Sequence, residues 1–240
     1  TGGNIGRLMG LMCNLPNSVP AITVDMQCAS ALMNIEIAYA HIVSGIMDSA
    51  IAGGIESSSL QPERVYASGD DRKGTYKVAQ FTPQDQSPLA MLEGAERTIH
   101  KHNVTKEDLY LHIIGSHQRA SAALDNPYLQ SYIMPITIDG KRCIDECIRP
   151  TMNEKLLSRM KPLLGADSIT NAGNACLTHD GAAFVYLSNK KGPFKIHSVK
   201  PWAGNPQFSP EGALESTEGI LKRTGLTMDD IDVVEWNEAF

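Results

Sequence analysis

Cys28 stands where an apolar run rich in β-branched residues, Ala21–Gln27, gives way to a helical pattern that opens on Ala29-Ser30-Ala31. A thiol in the first turn of a helix meets unsatisfied backbone N–H groups and the positive end of the helix dipole, and both favour the thiolate, the nucleophilic form. A buried structural cysteine fits the same position, because free cysteine is among the most buried residue types. Asn237, in Glu235-Trp236-Asn237-Glu238-Ala239-Phe240, follows a strand pattern and opens what reads as a helix. As a residue it can cap that helix, with Glu238 as a first-turn acid that complements the dipole. Arg149 can pair with a phosphate and stack on a base, or can simply be a solvated surface arginine. Met91 reads as core, and His179 as a surface or structural histidine.

Several elements must position these residues. Thr1 to Pro20 reads as a glycine-rich opening, a short helix around Arg7–Cys13 and a proline-bounded turn. Ala21–Gln27 is expected to be a buried strand. Residues 29–44 place apolar side chains on nearly every side, including Leu32, Ile35, Ile37, Tyr39 and Ile42, which predicts a helix buried all round and stopped by Gly45. Ser49–Gly53 is the next strand, breaking into Gly53-Gly54, so the order strand, helix, strand predicts a parallel βαβ unit. Gln61–Pro88 is polar, with glycines and prolines, and reads as loop with little regular structure. Helices are expected over Pro88–Lys101, from Thr105 to about Leu124, over Asn153–Leu164 and over Glu211–Arg223. Thr105 would cap the second of these above an acidic first turn. Tyr132–Ile138 and Cys143–Ile144 flank Asp139-Gly140, a hairpin signal. Gly181–Ser188, Phe194–Lys200 and Ile231–Glu235 complete the strands.

With 240 residues, 42% hydrophobic and 20% charged, the chain is long enough for one or two globular domains. A net charge of −6 argues against a general nucleic-acid surface and leaves room for a local basic pocket for a phosphorylated ligand. No stretch approaches the apolar length of a membrane helix. Five cysteines, Cys13, Cys28, Cys143, Cys147 and Cys176, are odd in number and widely spread, which suits a reducing, cytoplasmic setting better than a disulfide framework. Cys143 and Cys147 have no second pair of metal-ligand spacing nearby, so no zinc site is expected. The chain opens without a methionine and closes inside a helix pattern, so both ends read as cut and organellar import stays open.

Three segments, read together, resemble the thiolases, the acyl-CoA:acetyl-CoA C-acyltransferases. They are Gln27-Cys28-Ala29-Ser30-Ala31-Leu32 with Ile51-Ala52-Gly53-Gly54-Ile55-Glu56-Ser57, Asn171-Ala172-Gly173-Asn174-Ala175-Cys176 with Asp180-Gly181-Ala182-Ala183, and Glu235-Trp236-Asn237-Glu238-Ala239-Phe240. Smaller matches lie at Ser116-His117-Gln118-Arg119-Ala120 and Asp145-Glu146-Cys147-Ile148-Arg149-Pro150. The resemblance implies an α/β fold of layered αβαβα type with an inserted loop domain, incomplete in this chain. It implies a first half over residues 1–60 continued at 179–199, a CoA-binding loop domain over 61–178, and the start of a second half over 200–240. The Gly-His-Pro and Cys-x-Gly motifs of the family do not occur, so the 240-residue chain alone is expected to be inactive.

By the same resemblance Cys28 matches the acylated nucleophile, and Asn237 matches the asparagine that holds a water in an oxyanion hole. Ala172 and Cys176 match positions that line the pantetheine tunnel, Arg149 an arginine near the adenine and phosphates of CoA, Met91 a methionine of the acyl pocket, and Phe240 the last residue of the Asn-Glu-Ala-Phe motif. Serine-glycine is usual where this chain has Cys176-Leu177, histidine is usual where it has Ala90, and asparagine where it has His179. The implied activity is 3-ketoacyl-CoA thiolysis or acetoacetyl-CoA synthesis. The implied substrates are CoA and acyl-CoA, with no tightly bound cofactor and no metal, and the implied assembly is a homodimer or homotetramer. A non-catalytic thiolase-fold protein that binds acyl-CoA or lipid is the alternative from another class. A ketoacyl synthase relative shares the fold and the cysteine, but the Asn-Glu-Ala-Phe motif favours the thiolases.

Overall fold

The computed structural model describes residues 3–80, 82–83 and 87–240. These fall in two compact units, one of Thr1–Val78, Thr178–Trp202 and Ser216–Asp230, the other of Ala79–Leu177, Ala203–Glu215 and Ile231–Phe240.

In the first unit, helix α1 (Ile5–Met12) is capped by Asn4, whose side chain accepts from the Arg7 backbone N–H. The stretch that follows runs extended but joins no strand ladder among the described residues, and Ile22 is exposed. This corrects the expected buried strand at Ala21–Gln27 and the parallel βαβ unit built on it. The physical reason is local. Arg7 of α1 and the capping Asn4 hold the chain that leads into this segment: Arg7 donates to the Asn17 and Val19 carbonyls and Asn4 to that of Ala21, the segment's first residue. Gly6 lies so close to this stretch that a Cβ would stand 2.8 Å from the Ile22 carbonyl oxygen.

Helix α2 (Ser30–Val43) ends before Gly45, which takes the left-handed backbone (φ +75°) that a helix stop requires. It packs on an antiparallel two-stranded sheet of β1 (Ser49–Ser57) and a partner strand at Asp180–Ser188, with Ser49 opposite Ser188 and Ser57 opposite Asp180. The expectation of a helix buried all round is overturned. Only Ala38 is fully buried, while Leu32 and Val43 are 68% and 67% exposed, because the ladder covers one side alone. Side chains alternate across a strand, so the face holding Ala52 and Gly54 meets α2. The opposite face presents Ile51, Ile55, Phe184 and Tyr186, all exposed.

The polar segment after β1 keeps the expected loop character, with one short antiparallel pairing of β2 (Arg64–Val65) and β3 (Thr75–Tyr76). Tyr66 stacks on Tyr76, and Arg72 lies over Tyr66 while pairing with Asp70. The parts of that expected loop at 81 and 84–86, and the first two residues of the glycine-rich opening, lie outside the described residues.

The second unit is organised on helices α3 (Ala90–Lys101) and α4 (Lys106–Leu124). Thr105 caps α4 as expected: its hydroxyl accepts from the Asp108 N–H while the Asp108 carboxylate accepts from the Thr105 N–H, both at 3.1 Å. A short α5 (Pro127–Gln130) follows. The Asp139-Gly140 hairpin is present but shorter than expected, pairing β4 (Thr137–Ile138) with β5 (Lys141–Arg142). Both turn residues have positive φ, which suits Asp-Gly. The helix expected over Asn153–Leu164 closes a single turn, α6 (Glu154–Leu157). Its Leu157, with no exposed surface, packs with Tyr110, Ile113 and Met152 to form the core of this unit.

The strand at Asp180–Ser188 is β6. Helix α7 (Glu211–Thr224) forms as expected, with Gly225 left-handed behind it. Among the described residues, the strands expected at Phe194–Lys200 and Ile231–Glu235 join no ladder, and no helix turn follows Asn237. Three residues follow Asn237, too few to close an i→i+4 hydrogen bond within the chain.

Candidate active site

Cys28 sits in a 3-10 turn, Gln27–Ala29, that runs directly into α2. Its thiol group belongs to an exposed residue. The turn is built by three neighbours that the sequence reading did not single out. Asp25 accepts from the Gln27 N–H at 2.9 Å. Ser30 accepts from the Met26 N–H at 2.8 Å and donates to the Gln27 carbonyl at 2.7 Å. Gln27 itself has φ +51°, a left-handed conformation rare outside glycine and asparagine. These bonds fix the backbone immediately before the sulfur. The signal was present as Asp and Ser within three residues of Cys28, since both types cap turns with their own side chains. What the sequence did not show was that both bond to Gln27, the residue that precedes the cysteine, Asp25 at its N–H and Ser30 at its carbonyl.

The start of α2 is also pinned to β1. Asn34 donates to the Gly53 carbonyl at 3.0 Å. At the far end of β1, Ser59 donates from both its N–H and its hydroxyl to the Asp180 carboxylate. The Ser59 hydroxyl and backbone N–H hold the Asp180 carboxyl below its ordinary range. His179, next to it, is exposed.

In the second unit the structure brings together Cys176 and the Asn-Glu-Ala-Phe segment. The Cys176 N–H donates to the Ala239 carbonyl at 3.0 Å, and the Ala239 N–H to the Asn237 carbonyl at 3.0 Å. Asn237, Ala172 and Cys176 are exposed, and Phe240 is half-buried. The loop that carries Ala172 is shaped from within: Asn174 accepts from the Asn171 N–H and donates to the Ile169 carbonyl, and Asn171 accepts from the Gly173 N–H. Glu96 of α3 anchors the same loop by accepting from Ser168, Ile169 and Thr170. Burial alone would raise the Glu96 carboxyl. The Thr170 hydroxyl, the Ile169 N–H, the Ser168 hydroxyl and the Thr170 N–H outweigh it and hold the group below its usual value. Met91 lies half-buried on the same helix, one turn earlier.

A polar cluster surrounds Glu238. Its carboxylate accepts from the Ser116 hydroxyl and lies 3.5 Å from His112 Nε2 and 3.6 Å from an Arg119 guanidinium nitrogen. The neighbouring His117 accepts from the Arg149 N–H through Nδ1 at 3.2 Å. Burial and the Arg149 charge push the His117 imidazole below its ordinary value, against an opposing pull from Glu238. Arg149 is exposed, and no carboxylate pairs with it among the described residues. An exposed guanidinium is free to meet a phosphate. The spacing of His112, Ser116 and Arg119 on one helix face was readable. That a carboxylate from the far end of the chain docks there was not.

Residues 1–191 match the family description "Thiolase, N-terminal domain". The chain belongs to the thiolase family. The 3-ketoacyl-CoA thiolase of Bacillus subtilis is 32% identical to it over 261 residues, a match that covers all of this chain and 65% of that protein. Among solved structures, human mitochondrial 3-ketoacyl-CoA thiolase in complex with CoA superposes with a TM-score of 0.81 at 29% identity, covering 98% of this chain and 63% of that one. The acetyl-CoA acetyltransferase of Bacillus anthracis superposes with a TM-score of 0.83 at 24% identity, covering 99% and 65%. The α/β thiolase fold expected from the motifs is therefore the fold of this chain. The chain spans 65% of the length of the Bacillus subtilis relative and 63–65% of the solved structures. In this chain, Cys28 directly precedes α2, and Gly53-Gly54 lies in the strand that packs beneath that helix.

Proposed function

We propose that Cys28 is the acyl-carrying nucleophile of a thiolase-type acyltransferase that moves an acetyl or acyl group between CoA and the enzyme. The observation that carries this reading is the placement of an exposed thiol on a turn whose preceding residue, Gln27, is held by Asp25 and Ser30 at the mouth of α2. The Cys28 thiolate adds to the carbonyl of a 3-ketoacyl-CoA or acetyl-CoA. The carbonyl π bond opens to an oxyanion, then re-forms as the leaving group departs, either a CoA thiolate or an acetyl-CoA carbanion that takes up a proton. The acyl group is left as a thioester on Cys28. The second step returns it to a CoA thiolate in thiolysis, or to an acetyl-CoA carbanion in acetoacetyl-CoA synthesis.

Asn237 holds a water that donates to the oxyanion, and oxyanion-hole groups contribute roughly a hundred- to a thousandfold in rate. Ala172, Cys176 and Phe240 line the approach of the pantetheine arm, Met91 the acyl group, and Arg149 meets the CoA phosphates. The names of the relatives support the acyltransferase class. The working protein is a homodimer or homotetramer.

Mass spectrometry of the protein at its natural full length, after exposure to acetyl-CoA, tests the reading. An added acetyl group on a peptide containing Cys28, absent from Cys28→Ala, is expected. No adduct together with no cleavage of acetoacetyl-CoA would leave the acyl-CoA-binding, non-catalytic alternative, which the Cys176-Leu177 departure from the usual serine-glycine favours.

A further inference from the structure

Asn237 directly precedes Glu238 in the segment 231–240, and both residues are exposed. A donor for an oxyanion is useful only if its direction is set before the charge develops. Two contacts on either side of the Asn237–Glu238 peptide can set that direction. On its C-terminal side the chain is tied through the Ala239 carbonyl to the Cys176 N–H. The adjacent side chain, Glu238, is tied to α4 through the Ser116 hydroxyl and faces His112 and Arg119. Helix α4 is the rigid partner: 19 residues long, closed by a capping box, with Tyr110 and Ile113 buried in the core of the same unit.

We propose that Glu238 is a positioning residue for Asn237, with its carboxylate docked on Ser116, His112 and Arg119 so that the Asn237 side chain is held in its working direction. This deepens the reading of Asn237 as the residue that holds the oxyanion-hole water and rests on it. The Glu238 carboxylate touches no reacting atom. It fixes the peptide that Asn237 shares with it. Ser116 contributes the hydroxyl hydrogen bond, and the His112 imidazole and Arg119 guanidinium face the same carboxylate.

A double-mutant cycle on the full-length enzyme tests this, with acetoacetyl-CoA cleavage and the rate of Cys28 acetylation as readouts. Asn237→Ala is expected to lower kcat by about a hundredfold or more. Glu238→Ala is expected to lower kcat by up to about a hundredfold, as a misplaced group does, with KM for acetoacetyl-CoA little changed. The deciding variant is Asn237→Ala/Glu238→Ala. If Glu238 acts through Asn237, the double variant loses no more than Asn237→Ala alone. Ser116→Ala gives the same comparison with a smaller perturbation, an expected loss of about tenfold, should Glu238→Ala fail to fold.

Losses that multiply in the double variants, or Glu238→Ala and Ser116→Ala with unchanged kcat, overturn the proposal while leaving the role of Asn237 intact. An Asn237→Ala variant with full kcat overturns the underlying reading instead.

Discussion

Gly54 of β1 lies against Ala31 of α2 so closely that a Cβ on the glycine would stand 3.1 Å from the alanine Cβ. Ala31 is three residues beyond Cys28, so the depth at which the helix mouth sits on the sheet is set by the absence of a side chain at 54. A methyl group there asks α2 to move by a few tenths of an ångström, and a larger branched side chain asks for more. Gly54→Val is expected to cost about 1–3 kcal/mol of stability and to slow Cys28 acetylation, with Gly54→Ala milder on both. Gly53 is tighter still, since a Cβ there would meet the Ala183 carbonyl oxygen at 2.1 Å. Gly53→Ala is expected to lie at the upper end of that range. Urea denaturation midpoints check the order Gly53→Ala, Gly54→Val, Gly54→Ala.

Ser30 holds the turn around Cys28 by accepting from Met26 and donating to Gln27. Ser30→Ala removes both bonds and leaves the thiol in place. The expected result is a fall of about tenfold in the rate of Cys28 acetylation by acetyl-CoA, with the denaturation midpoint little moved, because the site is exposed. Stopped-flow or quenched mass spectrometry of the acetyl adduct measures it. Unchanged acetylation would show that the turn holds itself.

Cys13, Cys28, Cys143 and Cys176 are exposed and Cys147 is half-buried. Iodoacetamide is therefore expected to modify the first four under native conditions before Cys147. Prior incubation with acetyl-CoA should protect Cys28 alone. Protection of Cys176 in place of Cys28, read by peptide mapping, would move the nucleophile.

Stability is expected to fall in acid in two stages. His117 has a folded-state value below its ordinary 6.5, through burial and the nearby Arg149, so its contribution is complete above 6.5 and is lost as the pH falls through the lower folded value. Protonation also removes the acceptor of the Arg149 N–H. Glu96 and Asp180 behave alike, with folded values held below 4.5 and 3.8 respectively. Their contribution is complete above those values and is lost below them. Urea denaturation repeated from pH 8 to pH 3 should show a first decline below about 6.5 and a steeper one below about 4.5. Glu96→Gln is expected to flatten the steeper stage. An undiminished acid limb in that variant would remove Glu96 from the account.

Thr105 and Asp108 close the capping box of α4, the helix on which Glu238 docks. Thr105→Ala is expected to cost about 1 kcal/mol, seen as a lower urea midpoint with an unchanged slope. Such a shift locates the loss in stability rather than in compactness.

Local chemistry was legible in the sequence wherever a few neighbouring residues decided it. The capping box at Thr105, the Asp139-Gly140 turn, the glycine stops after α2 and α7, and the order of the thiolase motifs all depend on spacings of two to five residues. Cys28 before a helix and Gly53-Gly54 in the strand beneath it were readable for the same reason. The tertiary structure decided what non-local hydrogen bonds control. Ala21–Gln27 has the composition of a strand, yet Asn4 takes its first carbonyl, Arg7 holds the chain just before it, and no ladder forms among the described residues. The apolar pattern of α2 predicts burial on all sides, yet one two-stranded ladder covers one side. Glu238 read as a first-turn acid, and the fold made it a tether to Ser116. A sequence records which groups can bond or bury. Which partner reaches them is settled by chain segments from a dozen to more than a hundred residues away, and only the folded chain brings those together.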